Sequence, residues 1–276
     1  KFLNIILKNN TKCTLAIANK ELLIAGGSIV VNLIKNTKNI LMPLDSEHFS
    51  LLNSNYKNDQ IRNLYITASG GPFYFKKKIN LNNVNLKQVL AHPKWSMGKN
   101  NSIDSSNFIN KILEIYEMSS IYGIDLEKIN FVISKEAFIH SVIFYKDNTI
   151  TLNCFKNNML LALIKPLTTQ YKSKELIINS KNYFNIDNFK IEKFSDTRFK
   201  IIKHYKNLKS FDQPKQILFM ILNNIAQKKY LNGIIKYNNI IDFIMKSISI
   251  NQINVKLNTI DDILRYIDLI YRTHDK

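Results

Sequence analysis

The front of the chain alternates short apolar runs with turn residues, whereas the back carries longer stretches at helical spacing. Leu15-Ala16-Ile17-Ala18 and Ile40 to Leu44 read as two buried strands in a helix-strand-helix-strand order. Such alternation predicts the tail end of a parallel α/β sheet. Leu64 to Ala68 reads as a third strand, ending at Ser69-Gly70-Gly71-Pro72. From Ser105 to Gly123 the period is helical: Ile109, Ile112, Leu113 and Tyr116 form an apolar stripe, and Asn107, Asn110, Lys111 and Glu114 a polar one. Phe131-Val132-Ile133, Ala137 to Tyr145 and Thr149 to Leu152 follow as strands, with Lys146-Asp147-Asn148 as a turn. Residues 165–200 are polar and irregular and read as a connector. Beyond Pro214, Gln216 to Leu231, Tyr237 to Ile248 and Thr259 to Arg272 predict a small helical bundle. Six of the seven glycines lie within the first 123 residues, so turn chemistry is also concentrated in front.

At 276 residues the chain is long enough for two domains. Its net charge of +18 fits either a phosphate-bearing partner or the Lys-, Asn- and Ile-rich usage of AT-rich codons. The lysines scatter, and no stripe of interleaved basic and aromatic residues emerges, which counts against a nucleic-acid-binding protein. Cys13 and Cys154 match no metal or redox spacing and read as reduced thiols of a cytoplasmic protein. No apolar run approaches the roughly 18 to 20 residues that a membrane span needs. The start, Lys1-Phe2-Leu3-Asn4, lacks the shape of a signal peptide and reads as a cut made inside a domain.

Several local strings suggest chemistry. Trp95, the sole tryptophan, sits in the basic stretch His92-Pro93-Lys94-Trp95-Ser96-Met97-Gly98-Lys99, poor company for a core ring, and reads as a lid. Asp45-Ser46-Glu47-His48 follows a strand, where ligands of open α/β sheets bind. Asp45 and Glu47, with Glu114 from the helix, would suit a hard ion such as Mg²⁺ or Mn²⁺; an ordinary helix cap at Asp45 or Ser46 explains the same tetrad. Ser69-Gly70-Gly71-Pro72-Phe73 could present backbone amides to an anion or form a tight turn. Asp104-Ser105 is expected to open a helix suited to phosphate, with Asn110 and Lys111 reaching the same anion, or simply to cap a solvated helix. His48 and His140 fit structural roles, and His92 alone has the context for ligand contact.

Taken in order, Ala18-Asn19-Lys20-Glu21, Pro43-Leu44-Asp45-Ser46-Glu47-His48, Ser69-Gly70-Gly71-Pro72-Phe73, His92 to Gly98, Asp104-Ser105, Asn110-Lys111 and Glu114 resemble 1-deoxy-D-xylulose 5-phosphate reductoisomerases. A weaker echo continues through Ile139-His140-Ser141 and Leu222-Asn223-Asn224. The resemblance implies metal ligands at Asp45, Glu47 and Glu114, and substrate contacts at Lys20, Ser46, Glu47 and Glu114. It implies phosphate contacts at Ser69, His92, Ser105, Asn110 and Lys111, a lid at Trp95 and Met97, and cofactor contacts at Asn19, Glu21, Gly98 and Met159. Lys20, Glu47 and Glu114 would be the catalytic residues.

The implied activity is an NADPH- and divalent-metal-dependent rearrangement and reduction of 1-deoxy-D-xylulose 5-phosphate to 2-C-methyl-D-erythritol 4-phosphate, in a homodimer. NADPH supplies the hydride, so no protein nucleophile is needed. A non-catalytic homologue is the alternative, because no Gly-rich turn precedes Asn19, Ala68 replaces a usual glycine and Leu160 a usual arginine. The expected fold is mixed α/β and α+β. Residues 1–44 would be a remnant of a Rossmann-like NADPH-binding domain, 45–165 a catalytic domain, 166–200 a connector and 201–276 a helical domain.

Overall fold

The computed structural model describes residues 12–52, 54, 57–94, 97–155, 158–170, 189–251 and 255–275. Strand β1 (Thr14–Ile17), helix α1 (Lys20–Lys35) and strand β2 (Ile40–Pro43) form a parallel βαβ unit, with Thr14 opposite Ile40 and Ile17 opposite Pro43. Asn19 caps α1 by accepting the Leu22 N–H (2.7 Å), which fixes Lys20 in the first turn. The helix kinks at Gly27 (φ 50°), and Gln213 donates to the Ala25 carbonyl there (2.9 Å). A Cβ on Gly27 would lie 2.5 Å from that amide, so the kink needs glycine.

Helix α2 (Ser46–Leu52) leads to a five-stranded sheet of order β6-β5-β3-β4-β7. Here β3 is Ile61–Ala68, β4 Ile129–Ile133, β5 Ile139–Tyr145, β6 Ile150–Cys154 and β7 Glu192–Lys193. Only β3 and β4 run parallel. Between them come α3 (Leu86–Leu90), α4 (Lys99–Asn107) and α5 (Ile109–Tyr122). Ile61, Leu64, Ile66, Ile129 and Ile133 pack with Ile109, Ile112, Ile115 and Tyr116 of α5 in one core. That core continues into α7 (Ile201–Leu208), α8 (Gln213–Leu231), α9 (Ile240–Ile250) and α10 (Ile260–His274). Alternating strands and the C-terminal helices thus appear as the apolar pattern predicts.

Three expectations need correction. The helix expected over Ser105 to Gly123 is two helices, because Phe108 between them is left-handed (φ 68°). Its ring is buried among Phe131, Phe194 and Phe199, and the Asn107 side chain accepts the Ile109 N–H, so packing and a local cap outweigh the backbone strain. Asp104-Ser105 therefore lies within α4 and opens no helix; the helix start near Asn110 and Lys111 belongs to α5. The stretch 165–200 is not wholly irregular: α6 (Met159–Gln170) runs into it and β7 pairs with β4. Residues 171–188 lie outside the described residues.

Candidate active site

The carboxyl ends of β1, β2 and β3 meet a cavity of about 280 Å³. Ala18 and Lys20 follow β1, Leu44 to Glu47 follow β2, and Ser69 to Gly71 follow β3. Asp45 has two tasks. Its Oδ1 accepts the Glu47 N–H at 3.0 Å, the cap that starts α2, while Oδ2 accepts from Lys20 Nζ at 2.5 Å. The helix-cap reading of the tetrad therefore holds at Asp45.

Glu47 and Glu114 share one ammonium, Lys111 Nζ standing 2.7 Å from Glu47 Oε1 and 2.6 Å from Glu114 Oε2. Lys20 Nζ stands 3.9 Å from Glu114 Oε1, to which Asn110 also donates, and Ser46 donates to Glu47. Carboxylate oxygens of Asp45, Glu47 and Glu114 all fall within 4.8 Å of one another. An all-oxygen set of this kind suits Mg²⁺ or Mn²⁺.

Burial opposes charge throughout the site, and the partners decide which groups keep it. Burial raises the Glu114 carboxyl; Lys111 works against this, but Glu47 and Asp45 add to it, leaving Glu114 well above the usual carboxylate range. Burial also disfavours the Asp45 carboxylate, yet Lys20, His48 and Lys111 hold it below that range. For Lys20 and Lys111 burial is likewise overcome, chiefly by Asp45 and by Glu114 respectively, and both ammonium groups stay charged. A divalent cation among the three carboxylates would relieve what keeps Glu114 high, so these residues fit such an ion.

The cavity also carries neutral and cationic donors. Ser69 Oγ and His92 Nε2 lie 3.3 Å apart, and Ser105, Asn110 and Lys111 line the same cavity. Burial, helped by Lys111, lowers His92 to about 4, so its imidazole is neutral near pH 7. Gly70 and Gly71 both have positive φ (90° and 58°), and a Cβ on Gly71 would lie 2.9 Å from the Ser105 carbonyl. The Ser-Gly-Gly turn thus sits directly against α4.

Lys20, Asp45, Ser46, Glu47, Ser69, His92, Met97, Ser105, Asn110, Lys111, Glu114 and Met159, all expected from the sequence, line this one cavity. Asn19 and Glu21 instead line an adjoining apolar cleft between α1 and the helices α8 and α10, and exposed Gly98 caps α4, so the four expected cofactor contacts are not brought together. Trp95, the expected lid, lies outside the described residues. Sequence reasoning overlooked Asn101 and Thr67, which also line the cavity. Asn101 is one of several similar polar residues in its string, and Thr67 is hidden within a strand. His48 is structural as expected, 3.1 Å from Glu117 and stacked on Tyr122. His140 stacks on Phe155 at 3.7 Å, yet it too reaches the cavity wall.

A protein of Pelagibacter ubique (strain HTCC1062), 1-deoxy-D-xylulose 5-phosphate reductoisomerase, is 32% identical over 266 residues, covering 93% of this chain and 68% of the relative. The chain belongs to the 1-deoxy-D-xylulose 5-phosphate reductoisomerase family. The family's C-terminal domain profile matches residues 41–122. The reductoisomerase of Clostridium novyi (strain NT) is 32% identical, with 91% of this chain and 65% of that protein covered. The chain thus spans about two thirds of these relatives.

The fold agrees as well. The reductoisomerase from Zymomonas mobilis in complex with NADPH superposes with a TM-score of 0.81 at 23% identity, covering 99% of this chain and 70% of that one. A reductoisomerase in complex with magnesium gives 0.81 at 18% identity, covering 99% and 77%. Both reductoisomerase structures share the mixed helix-and-sheet architecture.

Proposed function

We propose that this cavity carries out the family reaction, converting 1-deoxy-D-xylulose 5-phosphate to 2-C-methyl-D-erythritol 4-phosphate with NADPH and Mg²⁺ or Mn²⁺. The observation that carries the reading is the meeting, in one cavity, of three clustered carboxylates with a set of hydroxyl, imidazole, amide and ammonium groups able to hold an anion. Asp45, Glu47 and Glu114 would hold the ion, whose chemistry is polarisation of the substrate's carbonyl and hydroxyl oxygens. Lys20, Ser46, Glu47 and Glu114 contact the carbon end of the substrate, and Lys20 can donate a proton to oxygen there. Ser69, Ser105, Asn110 and Lys111 bind the phosphate, with neutral His92 as a further partner; this remote binding energy aligns the reacting end. Trp95 and Met97 close over the substrate and exclude water. Asn19, Glu21, Gly98 and Met159 contact NADPH.

The domain reading goes with this function: residues 1–44 serve the cofactor, 45–165 the chemistry, 166–200 connect and 201–276 form the helical part. The cytoplasm is the compartment, a reading supported by two free cysteines. A homodimer is supported by the exposed Ile150 and Leu152 on edge strand β6. Among the described residues no helix is long and apolar enough to cross a membrane. The deciding experiment follows NADPH oxidation by the full-length protein with 1-deoxy-D-xylulose 5-phosphate and Mn²⁺. Metal-dependent turnover is expected; no turnover with substrate, cofactor and metal all present would reject the reading.

A further inference from the structure

Helix α4 has the sequence Lys-Asn-Asn-Ser-Ile-Asp-Ser-Ser-Asn, in which Ile103 is the only apolar side chain. An apolar stripe therefore cannot set its rotation or rise against the core, as it does for most surface helices. Yet α4 carries Asn101 and Ser105, spaced i, i+4, on the face that lines the cavity. Something else must hold that face in register.

The neighbouring pair, Asn100 and Asp104, also spaced i, i+4, meets α8. Asn223 Nδ2 donates to both oxygens of Asp104 at 3.0 Å. Gln227 Nε2 donates to Asp104 Oδ1 and lies 3.3 Å from the Asn100 carbonyl, so one amide spans two successive turns of α4. Asp104, Asn223 and Gln227 are 5%, 1% and 1% exposed. No cation is paired with this carboxylate in the described contacts; its donors are amides alone. Burial raises it to about 7, with the two amides opposing and Glu21 adding to the rise. An ionisable group in such surroundings costs stability unless its hydrogen bonds achieve something a neutral side chain would not. On the far side, Gly71 abuts the Ser105 carbonyl, so α4 is held between a close-fitting turn and α8.

We propose that Asp104 is a positioning residue: through Asn223 and Gln227 it locks α4 onto α8 and thereby fixes Ser105 at the phosphate end of the cavity. The inference rests on the phosphate reading given above. It assigns the C-terminal helices a part in substrate affinity, although Asn223 and Gln227 do not line the cavity.

The test uses the full-length protein, with inorganic phosphate and Mn²⁺ as separate probes and thermal unfolding as a third readout. Asp104→Ala should weaken phosphate binding about tenfold, in keeping with the sensitivity of binding to misplacement, and leave Mn²⁺ binding unchanged. Asp104→Asn should restore phosphate affinity, because its amide can accept from the same donors and donate to the Asn223 or Gln227 carbonyl oxygens, which are buried with no partner among the described residues. If Asp104→Ala does not fold, Gln227→Met removes one donor at similar volume and should weaken phosphate about threefold, the scale of a single hydrogen bond. A folded variant, Asp104→Ala or the fallback Gln227→Met, with lowered melting temperature and unaltered phosphate affinity would reduce these residues to a structural role and overturn the inference. Parallel loss of phosphate and Mn²⁺ binding would overturn it too, as a general collapse. Wild-type protein that bound no phosphate would instead sink the phosphate reading, and the inference with it.

Discussion

Two buried acids on successive helices, Glu114 of α5 and Asp104 of α4, are solvated by the protein in opposite ways. Glu114 is surrounded by charge: Lys111 at 2.6 Å, Lys20 at 3.9 Å and two further carboxylates in the same cage. Asp104 is surrounded by the amides of Asn223 and Gln227. The first arrangement suits exchange, because a hard cation placed there would compete with the Lys20 and Lys111 ammonium groups for the same oxygens. The second suits fixation, because neutral amides bind a carboxylate directionally without attracting ions. Chemistry and geometry are thus separated along a short length of chain.

The comparison breaks most sharply at Glu114. Glu114→Gln keeps the shape and removes one anionic ligand, so the folded protein should lose about 10³-fold in kcat/KM, roughly 4 kcal/mol of transition-state stabilisation. Steady-state kinetics beside Mn²⁺ titration would check this. Unchanged kinetics with intact metal binding would remove Glu114 from the site.

At Asp104 the expected signature is stability against pH. An isolated Asp titrates near 3.8, whereas burial takes Asp104 to about 7. Between those values the folded protein keeps a proton that the unfolded chain has released, so this group's contribution to stability falls as pH rises from about 4 to 7. The full span is on the order of 4 kcal/mol, taking about three pKa units. Asp104→Asn should flatten that part of the curve, as read by denaturant unfolding at several pH values. A variant curve parallel to wild type across the window would refute the raised titration of Asp104.

Lys111 is paired to the carboxylates and also lies near His92 in the cavity lining. Lys111→Met should cost about 10²-fold in kcat/KM, since it removes a positioning charge and leaves Glu47 and Glu114 facing each other uncompensated. The loss should fall mainly on KM if phosphate contact dominates, and mainly on kcat if the carboxylate cage does.

Much of this was legible in the chain. The strands of the front half and the helices α8 to α10 follow from apolar spacing, and Asp45, Glu47 and Glu114 were recognisable from position and family pattern. The break at Phe108 was not, because the apolar spacing runs through it unchanged and only tertiary packing of its ring accounts for the left-handed residue. Nor was the partner of Asp104 legible: Asn223 is 119 residues away, and a carboxylate beside a serine reads as a cap. Asn19 and Glu21 follow the family pattern, yet they face a different cleft from the other site residues. Local patterns disclose elements and charge; which polar groups meet across the fold depends on packing.

The finest distinction is between a specific clamp and general adhesion of α4 to the C-terminal helices, and Ser106 separates the two. Ser106 Oγ lies 3.1 Å from the Tyr237 hydroxyl, a second tie between α4 and the helical region, one residue beyond Ser105. Ser106 is the donor in that tie, and it shares its proton with the Ile103 carbonyl at 2.6 Å. Ser106→Ala leaves the buried phenol oxygen without this donor, a loss of about 1–2 kcal/mol in unfolding free energy. If Asp104 alone sets the register, phosphate affinity should stay within about twofold of wild type, well below the roughly 1.4 kcal/mol that a tenfold change represents. A tenfold weakening in Ser106→Ala would mean that any tie between α4 and the C-terminal helices positions Ser105, and Asp104 would lose its special standing.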